Sequence, residues 1–194
     1  MLFALIKNLV VPRGQKIAAP FRLHIGGQIA HSDWKVLDVR HGPHVDFVGA
    51  CDNLRDFGDN SILEIYASHV LEHLSYVDVL PRALREFERV LVPGGGLRVS
   101  VPDLAVLCEL FVNPALDPTE RRKVMRMMFG GQFDPADFHC VGLNEEFLRG
   151  YLKDAGFADI VRVENFGLFD DTSCLVFRGR PISLNITARK SASV

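Results

Sequence analysis

"ILEIYASHVLEHL" (residues 62–74) and "REFERVLVPGGGLRVSVPDL" (residues 85–104) are the stretches from which the fold is read. The apolar run of residues 62–69 has the length and composition of a strand. Residues 78–91 place Val79, Leu80, Ala83, Leu84, Phe87, Val90 and Leu91 on one stripe at helical spacing. Pro81 is compatible with a helix there because it falls in the first turn, where its missing N–H has no intrahelical partner to lose. "VPGGG" (92–96) then breaks the chain, and "LRVSVPD" (97–103) reads as the next strand. Strand, helix and strand in this order imply a parallel crossover, hence an α/β sheet with its ligand contacts at the strands' carboxyl ends.

Three more strands lie upstream: "FRLHIGG" (21–27), stopped by glycines, "WKVLDVR" (34–40), closing on Asp38, and "HVDFVGACD" (44–52). Only about seven residues separate the first two, fewer than the dozen or so that a helical crossover needs. Either the first helix is missing or those strands are not simple parallel neighbours. Downstream, residues 103–112 and 118–130 read as helices and 130–144 as a glycine-containing loop. Residues 144–157 form a helix with Asn144 as N-cap and Gly156 at its close. "IVRVENFGLF" (160–169) and "SLNITARK" (183–190) read as terminal strands.

With 194 residues the chain is expected to form one domain. Residues 1–20 would be an N-terminal helix and lead-in, and 104–144 a helical and loop insertion. Leu2, Phe3, Ile6 and Val10 could share a face of the first helix, which leaves a membrane-surface anchor open beside plain packing. No stretch has the length of a membrane span or the charged start of a secretory leader. The formal net charge of −2 argues against nucleic acid as partner. Cys51, Cys108, Cys140 and Cys174 form no C-x-x-C pair, which fits reduced thiols and a cytoplasmic location.

His69, Glu72 and His73 spell H-x-x-E-H, the helical zinc motif of inverted-zincin peptidases. On a helix the two histidines would share one face. No clear acidic third ligand follows in a helical context, so the expectation is no metal, with Glu72 and His73 capping or orienting the next helix.

The stretches "LHIGG", "VLDV", "FVGACDNL", "DNSILEIYASHVLEHL" and "REFERVLVPGGGLRVSVPDL", with the tail from "DFHCVGLNEEFLRGYLKDAGF" to "FRGRPISLNITARK", occur in an order that resembles the class I S-adenosylmethionine-dependent methyltransferases. More narrowly, the chain is similar to small bacterial methyltransferases associated with surface-polysaccharide genes. The resemblance covers roughly residues 22 to 190, with "ASHVLEHL" and "RVLVPGGGLRVSVPDL" its most specific parts. It implies a Rossmann-like seven-stranded sheet, mostly parallel, with an antiparallel last strand and a shortened first crossover.

S-adenosylmethionine is the cofactor this resemblance implies. Gly26 and Gly27 would supply the turn where backbone approaches it. Asp38, ending the second strand, has the place of a carboxylate that accepts ribose hydroxyl protons. Asp52, with Asn53 beside it, follows the third strand, where the family's acidic residue meets the adenine amino group, and Leu54 could pack on the ring. Ser68 and His69 would lie under the methionine moiety. His139 is the candidate general base for an alcohol acceptor, with His69 the other and Asp137 a potential orienter of His139. Pro102 and Asp103 could shape the acceptor pocket, although Asp103 also suits an N-cap. Asp170 and Asp171 would bind sugar hydroxyls or form a solvated turn. The run "RRKVMR" (121–126) reads first as a solvated helix face, and a grip on a phosphorylated acceptor is its rival.

The expected activity is methyl transfer to a small hydroxylated acceptor such as a sugar or glycan precursor, and a homodimer is left open. The alternative is a cofactor-poor member of the fold acting as a binding or scaffolding module. Gln28 motivates it, because it stands where the family usually carries the second glycine of G-x-G. A nicotinamide dehydrogenase is disfavoured by the missing G-x-G-x-x-G turn.

Overall fold

The computed structural model describes residues 20–192, so the helix expected over residues 1–20 lies outside the described residues. Seven strands make one sheet: β1 (Phe21–Ile25), β2 (Trp34–Asp38), β3 (Phe47–Val48), β4 (Ile62–Ser68), β5 (Leu91–Pro102), β6 (Phe157–Val163) and β9 (Ser183–Lys190). A separate hairpin, β7 (Val176–Phe177) with β8 (Arg180–Pro181), precedes the last strand. The sheet order is β3-β2-β1-β4-β5-β9-β6. The pairings from β3 through β5 are parallel, while β9 lies antiparallel between β5 and β6. The helices are α1 (Val79–Val90), α2 (Leu104–Val112), α3 (Pro118–Phe129) and α4 (Glu145–Asp154). This is the Rossmann-like methyltransferase sheet that the resemblance implied.

The short first crossover resolves to the first alternative: the helix is absent, and the strands are parallel neighbours after all, Ile25 opposite Leu37 and Arg22 opposite Trp34. The reason is strand length. Each strand has 5 residues, so the chain returns only about 13–16 Å along the sheet, and the segment 26–33 can span roughly 27 Å when extended.

Three boundaries differ from expectation. The third strand shrinks to Phe47–Val48; just before it the Asp46 carboxylate takes the place of a ladder partner, accepting from Val36 N at 2.9 Å and from Lys35 Nζ at 2.8 Å. "VPGGG" does not end the helix in a loop: β5 begins at Leu91, and the ladder steps from Ile62–Leu91 to Glu64–Gly96 across an irregularity that contains Gly94 at φ +74°. The sixth strand starts earlier, at Phe157, and ends at Val163.

The two faces of the sheet are covered differently. On one, α1 presses Leu80, Ala83, Leu84, Phe87 and Val90 against Leu23, Ile25, Ile65, Ala67, Leu97 and Val99, with Leu148 and Leu152 of α4 completing the core. On the other, His24, Trp34 and Tyr66 meet Phe166 and Phe169 from the segment after β6. A smaller cluster of Leu107, Leu110, Leu116, Val124 and Ile182 joins α2 and α3. Asn144 caps α4 as expected, accepting from Phe147 N at 2.9 Å.

Candidate functional site

The carboxyl ends of β1, β2 and β4 open on one edge because these strands are parallel neighbours. Gly26 makes the turn out of β1 at φ +72°, and its N–H donates to Leu37 O at 2.8 Å. A Cβ there would lie 2.6 Å from Val70 Cγ2, and one on Gly27 would lie 2.8 Å from His24 Nδ1, so neither position accepts a side chain. Gln28 folds onto the same turn, its Nε2 donating to Gly26 O at 3.2 Å. Asp38 accepts from Arg40 N through Oδ1 at 2.7 Å, and its Oδ2 has no hydrogen-bond partner among the described residues. That open oxygen at the end of β2 suits a ribose hydroxyl.

Asp52 is already engaged: its Oδ2 accepts from Arg82 Nη2 at 2.6 Å and from Nε at 3.2 Å. Asn53 is exposed beside it. Leu54 cannot stack on an adenine ring, because it is buried in the apolar core. The residues therefore fit S-adenosylmethionine best at its ribose and methionine ends. Ser68 ends β4 opposite Ser100 of β5.

His69 follows at φ +54°, a left-handed conformation that costs a non-glycine residue of order 1 kcal/mol and clusters at functional sites. Its backbone N–H donates to Ser100 O at 2.8 Å. Its Nε2 meets Ser183 Oγ at 3.0 Å, and Ser183 spends its own proton on Thr172 O at 2.8 Å, so His69 Nε2 is the donor. The other ring nitrogen lies 3.2 Å from Glu72 Oε1, an ion-pair distance without hydrogen-bond alignment.

Glu72 and His73 sit on a single 3-10 turn, Leu71–His73, so the H-x-x-E-H residues do not share a helix face. What gathers around them instead is the loop after α3. Cys140 N and Val141 N both donate to Glu72 O, at 2.7 and 3.2 Å, and His139 N donates to Phe129 O at 3.3 Å. His73 Nδ1 donates to Phe138 O at 3.1 Å. The rings of His73 and His139 stand edge to face with centroids 4.9 Å apart. Burial holds the His139 imidazole below its ordinary pKa; the Glu72 charge and a hydrogen bond to the Met128 backbone oppose this, while His73 and His69 add to it. His139 is thus favoured in the neutral form, which can take up a proton or donate a lone pair.

Several expected roles are corrected. Asp137 does not orient His139: its Oδ2 accepts from Phe133 N at 3.2 Å, closing its own loop. For Asp103 the N-cap reading holds and the acceptor-pocket reading falls: it is buried and caps α2 through Ala105 N, with Arg162 on its other oxygen at 2.9 Å. Asp171 caps the turn Thr172–Cys174 and accepts from Tyr66 Oη at 2.8 Å, so it does not present a free carboxylate. In the basic run, Arg121 is structural, donating to the carbonyls of Phe111, Asn113 and Leu116. Arg122 and Arg126 instead line a cleft of about 300 Å³ with Met125, Phe129 and Phe133, where the Arg126 guanidinium lies 4.9 Å from the Phe133 ring centroid.

The structure brings His69, Glu72, His73 and His139 together and leaves Asp38 at the end of β2, on the same edge with β1 between. Glu72, expected to cap or orient the next helix, does not cap α1, whose N-cap is Asp78; its backbone carbonyl anchors the loop after α3 instead, a long-range contact that H-x-x-E-H does not announce. Among the described residues no helix is long and apolar enough to cross a membrane.

Residues 30–99 match a family model described as a methyltransferase domain. No curated protein sequence matches. Among solved structures, an Archaeoglobus fulgidus S-adenosylmethionine-dependent methyltransferase superposes with a TM-score of 0.56 at 16% identity, covering 89% of this chain and 87% of that one. The Burkholderia thailandensis 1,6-didemethyltoxoflavin N1-methyltransferase, solved with its substrate and S-adenosylhomocysteine, gives 0.53 at 17% identity over 89% and 72%. A Bordetella parapertussis protein described as a possible exported protein gives 0.56 at 14% identity; 90% of this chain spans only 63% of that one. Residues 30–99 thus carry the match to a methyltransferase domain, and the chain has the fold of these S-adenosylmethionine-dependent methyltransferase structures.

Proposed function

We propose that this chain transfers a methyl group from S-adenosylmethionine to a hydroxyl of a small acceptor, a sugar or glycan precursor. The observation that carries the reading is the His69–Glu72–His73–His139 cluster, which stands where β4 leaves the sheet, one strand from the turn of Gly26. S-adenosylmethionine supplies an electrophilic methyl on a sulfonium; the S–CH3 bond breaks as the O–CH3 bond forms, and the hydroxyl proton must leave. Asp38 would hold the ribose through Oδ2, Gly26 and Gly27 would let backbone approach the methionine end, and Ser68 would line it. Asp52 and Asn53 would meet the adenine only if Arg82 shares its carboxylate partner. His139, kept neutral by burial, is the acceptor-side base, and His69, fixed by Ser183, is the alternative. The cleft beside Arg126 and Phe133 offers stacking and positive charge to the acceptor.

A second reading, a binding or scaffolding module of the same fold, is favoured by Gln28 folded over the glycine turn and by the Asp52–Arg82 pair. Calorimetric titration with S-adenosylmethionine and S-adenosylhomocysteine separates the two. The methyltransferase reading expects a Kd of about 1 μM, about −8 kcal/mol, weakened roughly tenfold or more in Asp38→Ala by loss of a hydrogen bond to a charged group. Heat from neither ligand, with folded protein free of carried-over cofactor, would move the assignment to the binding module.

A further inference from the structure

We propose that Glu72, His73 and His139 form a binding site for one divalent transition-metal ion. One ligand atom from each of the three lies within 4.8 Å of the other two. Ligands around a bound ion at about 2.0–2.2 Å stand roughly 3–4 Å apart, so small side-chain rotations close the set.

An independent observation points the same way. Glu72 is 1% exposed, and neither of its carboxylate oxygens accepts a hydrogen bond. Burying a carboxylate with no aligned donor is costly, and buried charges are normally paired or bound to metal. The nearest cationic candidate, His69 Nδ1 at 3.2 Å, is misaligned. A cation between Glu72 and the two imidazoles satisfies the carboxylate directly.

The supporting contacts are those a ligating histidine needs. His73 Nδ1 donates to Phe138 O, which leaves the lone pair on Nε2. The backbone of residues 140 and 141 is tied to Glu72 O, so the loop carrying His139 and the turn carrying Glu72 and His73 are fixed to each other before any ion arrives. His69 is a positioning residue: Ser183 holds its ring against the Glu72 carboxylate. The third ligand sought in a following helix comes instead from this loop, and it is an imidazole.

Two neutral imidazoles and one carboxylate suit Zn²⁺, Co²⁺, Fe²⁺ or Mn²⁺ over Mg²⁺ or Ca²⁺, which prefer all-oxygen sets. Cys140 is not among the ligands, since its Sγ is directed at Phe138 O at 3.9 Å. Three protein ligands leave positions open for a water or an acceptor hydroxyl, whose proton the ion would make more acidic. That last role rests on the methyl-transfer reading, and His139 would then be a ligand and not a base; the site itself does not depend on it.

The test is metal binding without S-adenosylmethionine. Chelator-stripped protein is titrated with Co²⁺, read by visible absorption, and with Zn²⁺ and Mn²⁺, read by the shift in Tm. One ion per chain is expected, raising Tm, with affinity reduced about 100-fold or more in His73→Ala, in His139→Ala and in Glu72→Gln, since loss of outer contacts alone costs about 10–100-fold. Glu72→Gln is the control for folding: in chelator it should melt no lower than the parent, because neither Glu72 oxygen accepts a hydrogen bond that the amide would lose. No uptake of any of the three ions by the folded parent overturns the proposal, as does uptake that persists unchanged in Glu72→Gln and His139→Ala. S-adenosylmethionine binding without metal uptake would sink the site alone, and metal uptake without cofactor binding would sink the methyl-transfer reading alone.

Discussion

The two faces of the sheet reach the same end by opposite chemistry. The residues that α1 and α4 bury against the sheet are aliphatic or phenyl: Leu80, Ala83, Leu84, Phe87 and Val90 from α1, Leu148 and Leu152 from α4. On the other face the segment after β6 covers β1, β2 and β4 with rings and polar atoms. His24 sits 4.3 Å from Phe169 between ring centroids, Tyr66 donates to Asp171, and Asn185 Nδ2 donates to Glu164 O and Ser173 O at 2.7 and 3.0 Å. The first face is stabilised by area removed from water and the second by a network that works only when its protons are in place. The difference teaches where this fold is sensitive to packing and where to pH.

The largest effect should come from the helix-covered face. Phe87 is fully buried at the centre of the α1 stripe. Phe87→Ala should cost about 4 kcal/mol, the sum of lost transfer energy and an unfilled cavity, and the loss should be nearly the same at pH 5 and pH 8. Chemical denaturation at both pH values checks it. A loss that varied strongly with pH would mean that the two faces are not energetically separate.

Acid should act through the other face. His24 is 5% exposed, and its pKa is lowered from 6.5 to about 4, chiefly by burial, against the opposing charge of Asp171. The unfolded chain therefore binds a proton at His24 between pH 6.5 and about 4 that the folded chain does not. Its contribution is complete above pH 6.5 and is lost as pH falls towards 4, by about 3 kcal/mol in all. The difference in unfolding free energy between the parent and His24→Phe, followed from pH 8 to pH 4, isolates this group. A flat difference would show that His24 charges without cost.

The same contrast explains what was legible in the sequence. The α1 stripe, the Asn144 cap and the existence of the last strand are written locally, in spacing and in one capping residue, whereas its antiparallel direction came only with the family resemblance. The absent first crossover helix was legible only as a shortfall of residues, since its cause is the shortness of β1 and β2. The gathering of Glu72 and His73 with His139 was not legible at all, because it depends on backbone bonds between a turn and a loop far apart in the chain. Asp171 was misread for a similar reason: its partner Tyr66 lies on a distant strand, and nothing beside Asp171 in sequence announces it. Asp38 was placed correctly at its strand end, where one residue and one boundary are enough.

The smallest expected effect is the sharpest probe of the ring-and-hydroxyl face. Tyr66→Phe keeps the ring that packs 5.0 Å from His24 and 4.8 Å from Phe169 and removes only the hydroxyl between Asp171 and Ser173. The cost should be about 1.5–3 kcal/mol, the range for a hydrogen bond to a charged acceptor. Asp171 keeps its bond to Ser173 N, so the cap of that turn should survive. Because burial already pushes the Tyr66 phenol up, its proton stays in place across the neutral range, and the cost should be constant from pH 6 to pH 9. Urea denaturation of the variant tests the size. Hydrogen exchange of the Ser173 amide tests the place: protection retained there would show that the segment is held by rings and cap together, and protection lost would show that the Tyr66 hydroxyl is what fastens it to the sheet.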